Sequence, residues 1–247
     1  LMSITGLPGQ GPVRVGIPVA DLTAGLFAAL GIMVSLLGRE ESGEGQWVQT
    51  SLLQAQIAML DFQAARWLIN EDVPQQAGNN HPTSIPTGVF QTTDGHINLA
   101  TTGGRIWERC CEVLGVPELA TEPDYSDGPS RLKNRDALNE LLQRYFAKES
   151  TAHWVDALNA AGVPCGPIYA IDEVFGDEQV RHLGMAKKVA HPRLGNIEIV
   201  NQPIKLSGVG ERAFAATPER GEHTDDILLE FGFSAEEIRD LRRREVL

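Results

Sequence analysis

Cysteine is scarce in this 247-residue chain, with Cys110, Cys111 and Cys165 the only three. An odd number cannot all pair, and none falls in a CxxC or other metal-ligand spacing, which argues against a disulfide scaffold and a cysteine metal site. A reducing, cytoplasmic setting is the expectation. The six histidines, at 81, 96, 153, 182, 191 and 223, show no HxxxH or HxH spacing, so neither a metal nor a tightly bound cofactor is expected. Basic residues are also in deficit, 21 against 33 acidic ones for a formal net charge of -12. That balance repels phosphate backbones, and the one basic cluster, Arg242 to Arg244, is too short to reverse it, so nucleic acid is not an expected partner. Long apolar runs are missing as well. Leu26 to Leu37 spans 12 residues and includes Gly31 and Ser35, short of the ~18 a membrane span needs. It reads as a buried helix, and no membrane association is expected. No signal-peptide pattern opens the sequence, and no repeat of period 20 to 50 is visible.

What is present is ordinary for a globular protein: 42% hydrophobic and 22% charged residues, enough for one large or two modest domains of an α/β protein. The opening LMSITG drops straight into the turn GLPGQGP as if in mid-domain, which leads to the expectation of a preceding segment. VRVGIPV then reads as a short extended segment, with Asp21 as the N-cap of a helix through about Arg39. The glycines of REESGEGQ stop that helix, and QWVQTSL reads as a strand. SLLQAQIAMLDFQAARWLIN has helical apolar spacing, and residues 53–79 as a whole serve as a connector.

GVFQTTDGHINLAT reads as a hairpin turning at Thr93-Asp94-Gly95. RIWERCCEVLG, RDALNELLQRYFAKE and TAHWVDALNAAG are three amphipathic helices, the first and last ended by Gly115 and Gly162. Together they predict a small α+β domain over residues 80–162. After GVPCGPI the segments KKVAHPRLGNIEIV and PIKLSGV read as strands of a different sheet, followed by two helices, the second with a Ser234/Glu237 capping box.

Asp21 is the residue of most chemical interest. Helix capping alone would account for it. The same position, however, puts a carboxylate where free N–H groups and the positive end of the helix dipole stabilise an anion. With Gly25, Ala28 and Ala29 leaving room beside it, such a carboxylate suits nucleophilic attack on an activated acyl carbon better than proton donation. Gly103 and Gly104, between a predicted strand and a helix, could bring backbone against a ligand, although a simple turn would use them equally well. His81, in the polar loop NNHPTSIP, is a candidate to border a substrate or a solvated loop residue. The three cysteines have no basic neighbour in sequence and read as structural thiols.

The ordered motifs SITG, VRVGIPVAD, R-x-x-S-G-x-G-Q (Arg39 to Gln46), VQTSLLQA, TTDGHINLATTGG, AGVPCGPI, DEVFGDEQVRHLGM, NQPIKLS and GEHTDDILLEFGFSAEEI resemble the family III CoA-transferases. The resemblance runs over essentially the whole chain. It implies a Rossmann-like large domain, with residues 1–52 as its C-terminal part and residues 163–247 as a return to it, beside the smaller α+β domain. It implies an interlocked homodimer, coenzyme A as substrate in an acyl-CoA thioester, and a carboxylic acid acceptor. It makes Asp21 the nucleophile that forms an aspartyl anhydride and then an aspartyl-CoA thioester. The family's mobile tetraglycine loop has no counterpart here, so that role does not pass to Gly103 and Gly104. Two alternatives stand beside the transferase: a 2-methylacyl-CoA racemase using the same aspartate as acid or base, and a non-catalytic fragment or assembly subunit.

Overall fold

The computed structural model describes residues 1–101, 103–210 and 214–247. The chain divides into two compact units, Leu1–Ile168 and Tyr169–Leu247.

The first unit opens with turns that the connector holds: Gln76 Nε2 donates to the Gly11 carbonyl at 2.7 Å, and Gly78 N to the Gly6 carbonyl at 3.1 Å. Helix α1 then runs Val19–Ser42. Its N-cap is Pro18 and not Asp21, a correction with a simple cause. Proline presets a helix-compatible φ and has no N–H to satisfy, so the helix begins earlier, with Leu22 N donating to Pro18 O at 3.1 Å. The other end is as expected: Gly43 adopts φ 72° and its N–H donates to Arg39 O at 2.8 Å. The apolar run expected to be buried is exposed instead, Leu26 by 72% and Leu37 by 69%, and Thr23 is the buried residue of this helix. Counted along all 24 residues, α1 is the one helix among those described that is long and apolar enough to cross a membrane, by length and composition alone.

The strands predicted at 13–19 and 46–52 are absent: 13–18 and 46–51 are irregular, with no paired strand among the described residues, and Val19 and Leu52 each begin a helix. Strand identity requires a hydrogen-bonding partner, which β-rich composition does not supply. Segment 46–50 lies against α1 instead, Val48 Cγ1 packing where a Cβ on Gly31 would stand. The single helical pattern that follows is broken in two, α2 (Leu52–Ala58) and α3 (Phe62–Asn70), at Asp61, whose φ is 48°. Ser51 caps α2 by accepting from Gln54 N at 3.2 Å.

From residue 85 the packing changes. Strands β1 (Thr87–Gln91) and β2 (His96–Ala100) form the expected antiparallel hairpin. Its turn closes through Thr92 N to Gly95 O at 3.0 Å and Gly95 N to Thr92 Oγ1 at 3.0 Å. The period of two puts Ile97 and Leu99 inside and leaves His96 and Asn98 outside. Helices α4 (Gly104–Val113), α5 (Gly128–Lys133), α6 (Arg135–Phe146) and α7 (Thr151–Ala160) follow. Trp107, Leu138, Leu142, Phe146 and Leu158 join Phe90, Ile97 and Leu99 in one core. Gly115 and Gly162 end the first and last of the expected helices with φ of 74° and 73°. Strand β3 (Cys165–Pro167) pairs antiparallel with β2, in the order β1-β2-β3, so this sheet draws on residues beyond 162.

The second unit has α8 (Ile171–Gly176), α9 (Glu178–Leu183), the hairpin β4 (Ala186–His191) and β5 (Gly195–Val200), then α10 (Thr224–Glu230) and α11 (Ala235–Arg243). β4 and β5 form a separate two-stranded sheet, as the sequence predicts. PIKLSGV, expected as a strand, has no partner among the described residues and remains irregular. The Ser234/Glu237 capping box is formed, Glu237 N donating to Ser234 Oγ at 3.3 Å and Ser234 N to Glu237 Oε2 at 2.8 Å.

Candidate functional site

The early start of α1 puts Asp21 in its first turn, where an acidic side chain complements the helix dipole. Asp21 is exposed and its side chain makes no hydrogen bond or ion pair among the described residues. Gly25, one turn further along the same face, leaves the carboxylate unobstructed, since a Cβ there would meet nothing within 4 Å. Geometrically, this is an accessible carboxylate held at the positive end of a 24-residue helix.

The other candidates gather elsewhere in the same unit. Gly103, with φ 94°, directly precedes α4, and Gly104 is its first residue. Both line a cavity of about 370 Å³ with Thr83, Ser84, Asp127 and Arg131. His81 does not line this cavity but shapes it. Its Nδ1 accepts from Thr83 N at 3.2 Å and Ser84 N at 3.0 Å, while its ring stacks on Phe62 at 5.7 Å. An imidazole that accepts at Nδ1 carries its proton on Nε2. Asp21 is not part of this lining.

Sequence reasoning missed Arg131. Its guanidinium is buried, donating from Nε to Ile85 O at 2.8 Å and from Nη1 to Tyr125 O at 2.9 Å, and lies 5.5 Å from the centre of the Trp107 ring. Burial lowers its pKa, opposed by the nearby Asp127 carboxylate. Asp127 itself caps α5 through Ser130 N at 2.7 Å, and that bond holds its carboxyl below the usual range. The DGPS start of α5 carries a visible helix signal, but nothing local shows that an arginine four residues on is buried.

The three cysteines, read from the sequence as structural thiols, are buried or partly buried and unpaired. Burial pushes Cys111 up to about 12 and Cys165 to about 11, and raises Cys110 as well. Among the described residues, no cluster of histidine, cysteine or carboxylate could hold a metal.

Residues 1–224 match the sequence profile of CoA-transferase family III. The chain belongs to that family. Among the relatives of this family III chain is mouse succinyl-CoA:glutarate CoA-transferase, 34% identical over 230 residues, which are 93% of this chain and 53% of the relative. Another is the acetyl-CoA:oxalate CoA-transferase of Acetobacter aceti, 32% identical over 84% of this chain and 52% of its own length. A solved structure, a CAIB/BAIF family protein from Brucella suis, superposes with a TM-score of 0.76 at 28% identity, covering 93% of this chain and 59% of that one. The family III chain thus spans about half the length of the curated relatives it matches.

Proposed function

We propose that the protein to which this chain belongs is an acyl-CoA:carboxylate CoA-transferase with Asp21 as its nucleophile. The observation that carries the reading is the exposed, unpartnered Asp21 carboxylate in the first turn of α1, in a chain of CoA-transferase family III. Relatives whose names couple succinyl-CoA or acetyl-CoA to glutarate or oxalate support the same reading.

An Asp21 oxygen attacks the thioester carbonyl carbon, the C–S bond breaks, and CoA leaves as a thiolate, giving an aspartyl acyl anhydride. The thiolate attacks the Asp21 acyl carbon, releases the donor acid and leaves an aspartyl-CoA thioester. The acceptor carboxylate then attacks this thioester, the thiolate leaves again, and its attack on the acceptor's acyl carbon yields the new acyl-CoA and frees Asp21. Free N–H groups in the first turn of α1 stabilise the developing negative charge.

The expected division of labour belongs to the same proposal. Residues 1–52 and 163–247 serve a large CoA-binding domain, 53–79 a connector and 80–162 a smaller domain, in an interlocked homodimer in the cytoplasm. The exposed leucines of α1 support a protein-covered surface there.

Incubation of the full-length protein with acyl-CoAs in deuterated buffer, followed by peptide mass spectrometry, tests the reading. An acyl or CoA adduct on the Asp21 peptide is expected. Deuterium at the substrate α-carbon without an adduct would make the enzyme a racemase, and neither signal would leave Asp21 a helix-terminus charge.

A further inference from the structure

We propose that the cavity beside Arg131 binds the carboxylate of a small organic acid. Identifying that acid as the CoA acceptor rests on the transferase reading, whereas the site itself rests on the cavity. Arg131 is only 4% exposed. Two of the five N–H groups a guanidinium carries donate to Ile85 O and Tyr125 O, and it forms no ion pair among the described residues.

A buried cation is costly, and the two carbonyls, the Trp107 ring and the nearby Asp127 carboxylate offset only part of its lost hydration. Here Arg131 lines a space of about 370 Å³, at the small end of ligand pockets. The guanidinium fork matches a carboxylate edge in bidentate geometry. Ser84, Gly103 and Gly104 line the same cavity.

Asp127 also lines the cavity, its Oδ1 accepting from Ser130 N at 2.7 Å while its charge acts on Arg131. Its charge disfavours a multiply charged phosphate more than a single carboxylate, which selects the ligand class. The His81 loop and the α4 turn, two separate sequence candidates, therefore belong to one acid-binding wall, to which His81 contributes by fixing Thr83 and Ser84.

The test is calorimetric titration of full-length protein carrying Asp21→Asn, so that no chemistry follows binding, with glutarate and separately with inorganic phosphate. Saturable glutarate binding is expected. Adding Arg131→Gln should weaken it about 10- to 100-fold, the usual worth of hydrogen bonds to a charged group. Adding Asp127→Asn, which keeps a capping side chain and removes the competing charge, should tighten it about two- to fivefold. Should Arg131→Gln not fold, the Asp127→Asn arm decides alone. Affinity unchanged by Asp127→Asn, or phosphate binding tighter than glutarate, would overturn the proposal. Binding is read without Asp21 chemistry, so an Asp21 adduct in the parent protein with no acid binding here would remove the site and keep the transferase. Acid binding with no adduct would do the reverse.

Discussion

Two stretches of the first unit use similar apolar side chains to opposite ends. In 85–165 the sheet and its helices bury Ile97, Trp107, Leu138 and Phe146 completely. In 19–70 equally apolar helices leave Leu26, Leu30, Leu37 and Leu68 more than half exposed. Helical period and hydrophobicity are present in both, so what separates them is whether other elements close over the apolar face. The first stretch closes one buried core of its own. The second holds the residue proposed for the chemistry, on a helix whose surface remains available.

The sharpest way to break this contrast is at Asp21. Asp21→Asn should reduce CoA transfer by about a thousandfold or more, the scale expected when a nucleophile is lost. Its thermal midpoint should stay within about a degree, because the side chain has no partner to lose. Transfer that survives the substitution would take the chemistry away from α1.

Next in size is a pair of substitutions that sets core against surface. Phe146 packs on Phe90 and Trp154 at centroid distances of 4.9 and 5.3 Å, and Phe146→Ala should cost about 3–5 kcal/mol in denaturant unfolding. Leu30→Ala, at a residue 60% exposed, should cost less than about 0.5 kcal/mol in the chain as it stands. A comparable loss at Leu30 would mean that α1 is covered in solution.

A smaller effect is expected at Gly88, where a Cβ would overlap the Asn79 carbonyl oxygen. Gly88→Ala should destabilise the hairpin by about 1–3 kcal/mol as the His81 loop is pushed from β1, and chemical unfolding would read it.

The smallest effect is in the thiols. Their ordinary value is 9.0, and the folded values lie near 11 for Cys165 and 12 for Cys111. Because the folded values are raised, the protonated thiols' contribution to stability is fully present below pH 9 and is lost as pH climbs through 11 to 12. Alkylation followed by mass spectrometry should label Cys165 before Cys111 as pH rises. The reverse order would contradict the burial that sets these values.

Much of this was legible in the chain because it depends on near neighbours. The hairpin follows from alternation in GVFQTTDGHINLA, the three helices from apolar spacing with glycine stops, and the Ser234/Glu237 box from two side chains three residues apart. Asp21 could be singled out for its place near a helix start, although proline moved that start and turned a cap into a first-turn residue. Arg131 could not be found this way, since its burial depends on Ile85 and Tyr125 carbonyls reached through the fold.

The sequence by itself determined the hairpin and three of the helices of 85–165 and the aspartate at a helix's positive end, all effects of caps, periods and short-range hydrogen bonds. Only the tertiary structure decided that 13–19, 46–52 and 203–209 are not strands, that α1 is exposed, and that the α4 turn and the His81 loop meet around a buried arginine. Strand pairing and burial are supplied by partners distant in sequence, and local pattern carries no information about where those partners are.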